Sequence, residues 1–180
     1  MKTIILIVAL TAVALVGFGA AYAMVNATVT APPATTLTSL DGDALTAAIS
    51  GEVNYPGTYV LKQGASLLDL INAAQGTTGN ADSLAFNTDY AIQNKGTYYI
   101  APLYDNSNTC SASPIVKTNI NADDADTMQS IAGFTKTVAN AIVSYRSSSP
   151  FKSIEEIKNV SGVGAATYEK VKTKVTLRNA

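Results

Sequence analysis

The chain has 180 residues, room for one medium domain or two small ones. It contains no His, no Trp and a single Cys, Cys110, which excludes a Ser-His-Asp or Cys-His catalytic system, a His or Cys zinc site and an internal disulfide. With 12 basic and 13 acidic residues the net charge is −1, so a polyanion could be held only by a local site. The charge is unevenly spread. Residues 26–116 carry two lysines against seven carboxylates (net −5), and residues 117–180 carry nine basic against six acidic side chains (net +3). An acidic middle and a basic tail point to two domains with different tasks.

Of the first 25 residues, 20 are apolar, and Thr3 to Val25 is free of charge behind Lys2. That length suffices for a transmembrane helix with its basic end cytoplasmic and the rest of the chain outside. The same residues also read as a cleaved signal peptide, with Ile4–Val16 as the apolar stretch and Ala21-Tyr22-Ala23 as the cleavage site. Both readings export the remainder. Residues 26–44, rich in Thr, Ala and Pro, read as a spacer.

The middle segment opens with a strand over Ala47–Val53, a turn at Asn54-Tyr55-Pro56-Gly57 and a second strand over Thr58–Leu61. Ser66 is placed to cap a helix whose Leu67, Leu70, Ile71 and Ala74 share one face, with Gly76 as its stop. A polar stretch follows, then a third strand over Thr97–Ile100, ended by Pro102. Tyr55, Tyr59, Tyr90, Tyr98, Tyr99 and Tyr104 could form a sugar-stacking surface or could simply serve as strand residues.

Gly51-Glu52-Val53-Asn54-Tyr55-Pro56-Gly57-Thr58-Tyr59-Val60-Leu61, followed by Ser66–Ile71 and Ala73–Gly76, resembles an SLBB domain, a β-grasp variant, over residues 45–103. The resemblance implies a soluble ligand, a sugar or a protein surface as partner, including contact between copies of the chain. Residues 104–117 read as a second linker, and it carries Cys110. No cation near that thiol would lower its pKa.

Residues 118–180 are helical in pattern. Asn121 is placed to cap a first helix, with Asp123, Asp124 and Asp126 in its first turn where the helix dipole favours anions. The same acidic cluster lacks the Gly and the bidentate Glu of a calcium loop. Ile131, Phe134, Val138, Ile142 and Tyr145 share a face interrupted at Ala132-Gly133. Ser153-Ile154-Glu155-Glu156 reads as a capping box, and Ser161-Gly162-Val163-Gly164 leads directly into a last helix. The amides of Gly162 to Ala165 would then face an anion. Tyr168, Val171 and Val175 would point inward, while Thr167, Lys170, Lys174 and Arg178 would share the outer face. Backbone donors beside a row of cations suit phosphates and read no base sequence.

Val160-Ser161-Gly162-Val163-Gly164-Ala165-Ala166-Thr167-Tyr168-Glu169-Lys170-Val171 resembles a helix-hairpin-helix motif, and residues 118–176 resemble a tandem unit of two. The order of parts (anchor, SLBB domain, linker, tandem hairpin) is similar to that of the ComEA-type competence receptors of Gram-positive bacteria. The expected fold is thus α+β: an N-terminal transmembrane helix, a small β-grasp-like SLBB domain and an all-α tandem helix-hairpin-helix domain. The resemblance implies a non-enzymatic, outward-facing membrane protein that binds double-stranded DNA without sequence preference and passes it to the uptake channel. Gly162, Val163, Gly164, Ala165, Thr167, Lys170 and Lys174 would form the main contact, and Gly133 with Lys136 a weaker one. No metal or cofactor is implied. Thr135 stands where a second Gly is usual, and its β-branch would resist a positive φ. Ala166 stands where a Lys is frequent. The alternative reading is a cell-surface interaction protein acting through the SLBB-like domain. An exported nuclease is disfavoured, because no carboxylate cluster suits two metal ions.

Overall fold

A computed structural model describes residues 44–105 and 113–179 of the chain. The expected transmembrane segment, the cleavage site, nearly all of the spacer and Cys110 lie outside the described residues. Among the described residues no helix is long and apolar enough to cross a membrane.

Alternating apolar residues build the first sheet. Strand β1 (Ala44–Gly51) buries Leu45, Ala47 and Ile49 and turns the residues between them outward. It pairs antiparallel with β2 (Gly57–Lys62), Ala47 facing Tyr59, and parallel with β3 (Gly96–Ile100), Ile49 facing Tyr98. The sheet order is therefore β2-β1-β3. Helix α1 (Leu67–Ala73) lays Leu67, Leu70 and Ile71, with Ala74 behind them, against this sheet. A capping box holds its start: the Asp69 amide donates to the Ser66 hydroxyl at 3.3 Å, and the Asp69 carboxylate accepts from the Ser66 amide at 2.8 Å. The Ser66 amide, and then the Ser66 hydroxyl at 2.9 Å, donate to the Asp69 carboxylate and hold it below its usual pKa.

The stop of α1 falls one residue before the expected Gly76. Gln75 takes the left-handed conformation at φ 60°. The amides of Gln75 and Gly76 then donate back to the carbonyls of Asn72 and Ile71, which closes the last turn as a Schellman motif.

The C-terminal half is not all-α. Strand β4 (Thr118–Asn119) runs parallel to β5 (Val175–Thr176), so the two ends of this half are joined by a short ribbon. Between them lie α2 (Ala125–Ala132), α3 (Lys136–Ser148), a 3-10 helix (Ile154–Asn159) and α4 (Ala165–Val171). Ile120, Met128, Phe134, Ile142, Phe151, Ile154, Ile157, Val163, Tyr168, Val171 and Val175 form one buried core.

Several local expectations are corrected. Asp124, not Asn121, caps α2, accepting from the Thr127 amide at 2.8 Å, and that bond holds its carboxyl below the usual range. Asn121 instead ties Phe151 through its amide and carbonyl, clamping the joint between the two hairpins. Ser153 caps a 3-10 helix rather than an α-helix, and Glu156 accepts from the Lys152 amide, one residue away from capping-box register. The last helix stops at Val171, because Val175 leaves to pair with Thr118.

Direct contacts join the two halves. Lys117 forms an ion pair with Asp82 at 2.5 Å, with side chains only 4% and 5% exposed, and it also donates to the Pro102 carbonyl. The Arg178 guanidinium donates to the carbonyls of Ser83 and Phe86, and the Leu177 amide to that of Leu84.

Candidate nucleic-acid interface

The two hairpins share one backbone plan. In each, a glycine in the left-handed region leads from the first helix to the second: Gly133 at φ 77°, the C-cap of α2, and Gly162 at φ 88°, in the turn beyond the 3-10 helix and its C-cap Val160. A buried apolar residue follows, Phe134 in one and Val163 in the other. The next residue is the extended N-cap of the second helix, Thr135 at φ −70° and Gly164 at φ −88°.

The β-branch of Thr135 is no obstacle here, since its position requires no positive φ. The difference between the hairpins is chemical. The Thr135 hydroxyl accepts from the Val138 amide, so hairpin 1 satisfies one of its own helix-start donors. At Gly164 no side chain caps α4, and the first-turn amides are left to an outside acceptor.

The hairpins close on one groove of about 340 Å³, lined by Gly133, Phe134, Thr135, Val138, Gly162, Ala166, Thr167, Lys170 and Val171. The only charged side chain in that lining is Lys170, so an anion entering the groove meets attraction from the sole ionised group. Gly133, expected in a separate weaker contact, is brought together in this groove with Gly162, Thr167 and Lys170. Gly164 and Ala165 stand exposed beside them at the start of α4, and Lys136 at the start of α3.

Two expected contributors are placed differently. Val163 is buried and its amide donates to the Val160 carbonyl, so it is not a free donor. Lys174 lies beyond the end of α4, in the turn before β5, and is absent from the groove lining. Arg178, expected on the same outer face, is turned to the Ser83 and Phe86 carbonyls. Sequence reasoning missed Phe134, Val138 and Val171 as groove walls, because their apolar spacing signals only a core.

Of the nine basic residues in 117–180, five have protein partners. Lys117 pairs with Asp82, and Lys172 pairs with Glu169 and lies over the Tyr99 ring. Lys158 lies over the Tyr168 ring. Arg146 donates to the carbonyls of Ile120 and Ala122, and Arg178 is held as above. Among the described residues, that leaves Lys136, Lys152, Lys170 and Lys174, all exposed, for an external anion.

The six tyrosines of the middle segment are dispersed. Tyr59 donates to the Tyr55 carbonyl, Tyr98 is buried edge-on to Tyr90, and Tyr99 packs against the C-terminal core. Tyr98, being buried, offers no open ring face to a sugar. Burial, with smaller contributions from the Glu156 and Glu155 carboxylates and the Tyr98 ring, pushes Tyr90 up to about 12.

Two paired hairpins behind a small helix-covered sheet define a class: an SLBB domain followed by a helix-hairpin-helix domain. Residues 46–87 match the SLBB domain family and residues 113–176 the helix-hairpin-helix motif family. The chain is 29% identical over 140 residues to ComE operon protein 1 of Bacillus subtilis (strain 168), covering 72% of this chain and 68% of that protein. With both domains in this order, the chain is similar to the ComEA-type proteins.

Proposed function

We propose that the protein is a DNA receptor of natural competence, binding double-stranded DNA without sequence preference through the groove between its hairpins. One observation carries this reading. Two left-handed glycine turns close a single groove whose only charged wall is Lys170, next to a helix start that no side chain caps. Amides and a point charge engage phosphate oxygens, which every sequence presents alike. The similarity to ComE operon protein 1 and the helix-hairpin-helix match support the same reading. The uncharged run Thr3–Val25 supports a membrane anchor with the two domains outside, positioned to hand DNA to an uptake channel. The protein acts by binding and performs no catalysis.

A titration of residues 26–180 with random duplex DNA at several salt concentrations tests this. Engagement of phosphates by up to four free lysines gives a slope of log affinity against log salt no steeper than about −3.5. Lys170→Glu and Gly164→Val weaken binding to unrelated duplexes equally. A loss confined to one sequence, or no binding in dilute buffer, contradicts the proposal.

A further inference from the structure

The SLBB domain contacts the helix that borders the groove. Among the described residues strand β3 is an edge of its sheet, paired only with β1, and such an edge leaves amides without a ladder partner. The Tyr99 amide donates to Glu155 Oε1 at 2.8 Å. The same oxygen accepts from the Tyr168 hydroxyl at 3.1 Å, and Glu155 Oε2 accepts from the Ser153 hydroxyl. Tyr168 is only 6% exposed and sits one turn into α4. Burial first, and then the adjacent Glu155 carboxylate, raises its pKa far above the ordinary tyrosine value. At the other end of α4 the C-cap residue Lys172 places its ammonium 4.4 Å from the Tyr99 ring centre. Tyr99 itself packs against the core of the hairpin domain.

One carboxylate therefore links the free edge of the SLBB sheet to the helix that carries Thr167 and Lys170. Resting on the DNA-binding reading above, we propose that Glu155 is a positioning residue for that site. It fixes α4 against β3, so that the SLBB domain belongs to the DNA-binding apparatus although none of its residues lines the groove. A half-buried carboxylate holding three donors favours a single geometry. Loosening it lets α4 tilt and carries Lys170 and the α4 amides away from the phosphates they would meet, while removing no phosphate contact directly.

The test uses the full chain with Glu155→Ala, Glu155→Gln and Tyr168→Phe. Affinity for random duplex DNA is measured across a salt series, and hydrogen exchange is followed at the Tyr99 amide and along α4. Glu155→Ala weakens binding about five- to tenfold, leaves the salt slope unchanged and speeds exchange at Tyr99. Glu155→Gln, whose amide oxygen still accepts from both donors, recovers most of the affinity. Tyr168→Phe, which keeps the ring and loses one bond, gives a smaller loss and decides the matter if the alanine variant fails to fold.

Binding by Glu155→Ala equal to or tighter than wild type overturns the proposal. So does a Glu155→Gln variant no better than alanine, or a salt slope shallower by about one, the mark of a lost phosphate contact. If the unaltered protein does not bind DNA, it is the DNA reading that fails. The exchange data then still report whether Glu155 holds α4 to β3.

Discussion

Gly162 and Val138 touch across the seam between the hairpins so closely that a β-carbon on Gly162 would lie 3.0 Å from Val138 Cγ2. The same glycine sits at φ 88°. Two independent demands, a left-handed backbone and a close approach, thus fall on one residue. Gly162→Ala is expected to lower unfolding stability by about 1–2 kcal/mol from the backbone alone, and more if Val138 cannot shift. Chemical denaturation measures it.

Gly164 presents the opposite case. Its φ is −88°, and a β-carbon there would meet nothing within 4 Å. The fold does not need a glycine at this position. Gly164→Asp adds an N-cap to α4 and is expected to raise stability by a few tenths of a kcal/mol, while placing a carboxylate where phosphate would approach. Denaturation and a DNA-binding titration on the same sample should move in opposite directions. A variant that binds DNA normally would remove the start of α4 from the site.

The buried pair Asp82–Lys117 gives a third expectation. Asp82 also accepts from the Leu84 amide, so Asp82→Ala leaves a buried ammonium without its carboxylate and costs about 3–5 kcal/mol. Adding Lys117→Met should recover much of that loss, because no charge is then left inside. Urea midpoints of the two variants decide it.

Alkaline pH is a fourth probe. Burial raises the pKa of Tyr98, Tyr99 and Tyr168 above 10.0, the value each has when exposed. The folded protein keeps these protons while the unfolded chain releases them. Their contribution is therefore fully present below pH 10 and is lost progressively above it. Urea midpoints should be level from pH 8 to about 9.5 and then fall, and the fall should be shallower in Tyr168→Phe.

How much could be read in advance depended on the range of the interaction. The buried face and cap of α1 follow from Leu67, Leu70, Ile71, Ala74 and Ser66, all within one local period. The hairpin turns were legible because Gly133 and Gly162 mark left-handed positions that few other residues accept. The ribbon was not. Val171, Thr173 and Val175 do alternate along the chain, but two-residue strands owe their existence to a partner far away in sequence. Extending the helix over that stretch placed Lys174 on a face it does not share. The Asp82–Lys117 pair was hidden for the same reason, since nothing near either residue announces the other.

The ribbon also bears on how the molecule is made. Thr118 cannot meet Val175 until the whole hairpin unit between them has compacted, and closing so long a loop is entropically slow. The pairing therefore waits for Val175 and Thr176 to emerge during synthesis. A chain truncated before Val175 would be left with both hairpins but no clasp, and a ribosome stalled there would hold a nascent protein still open at its last join.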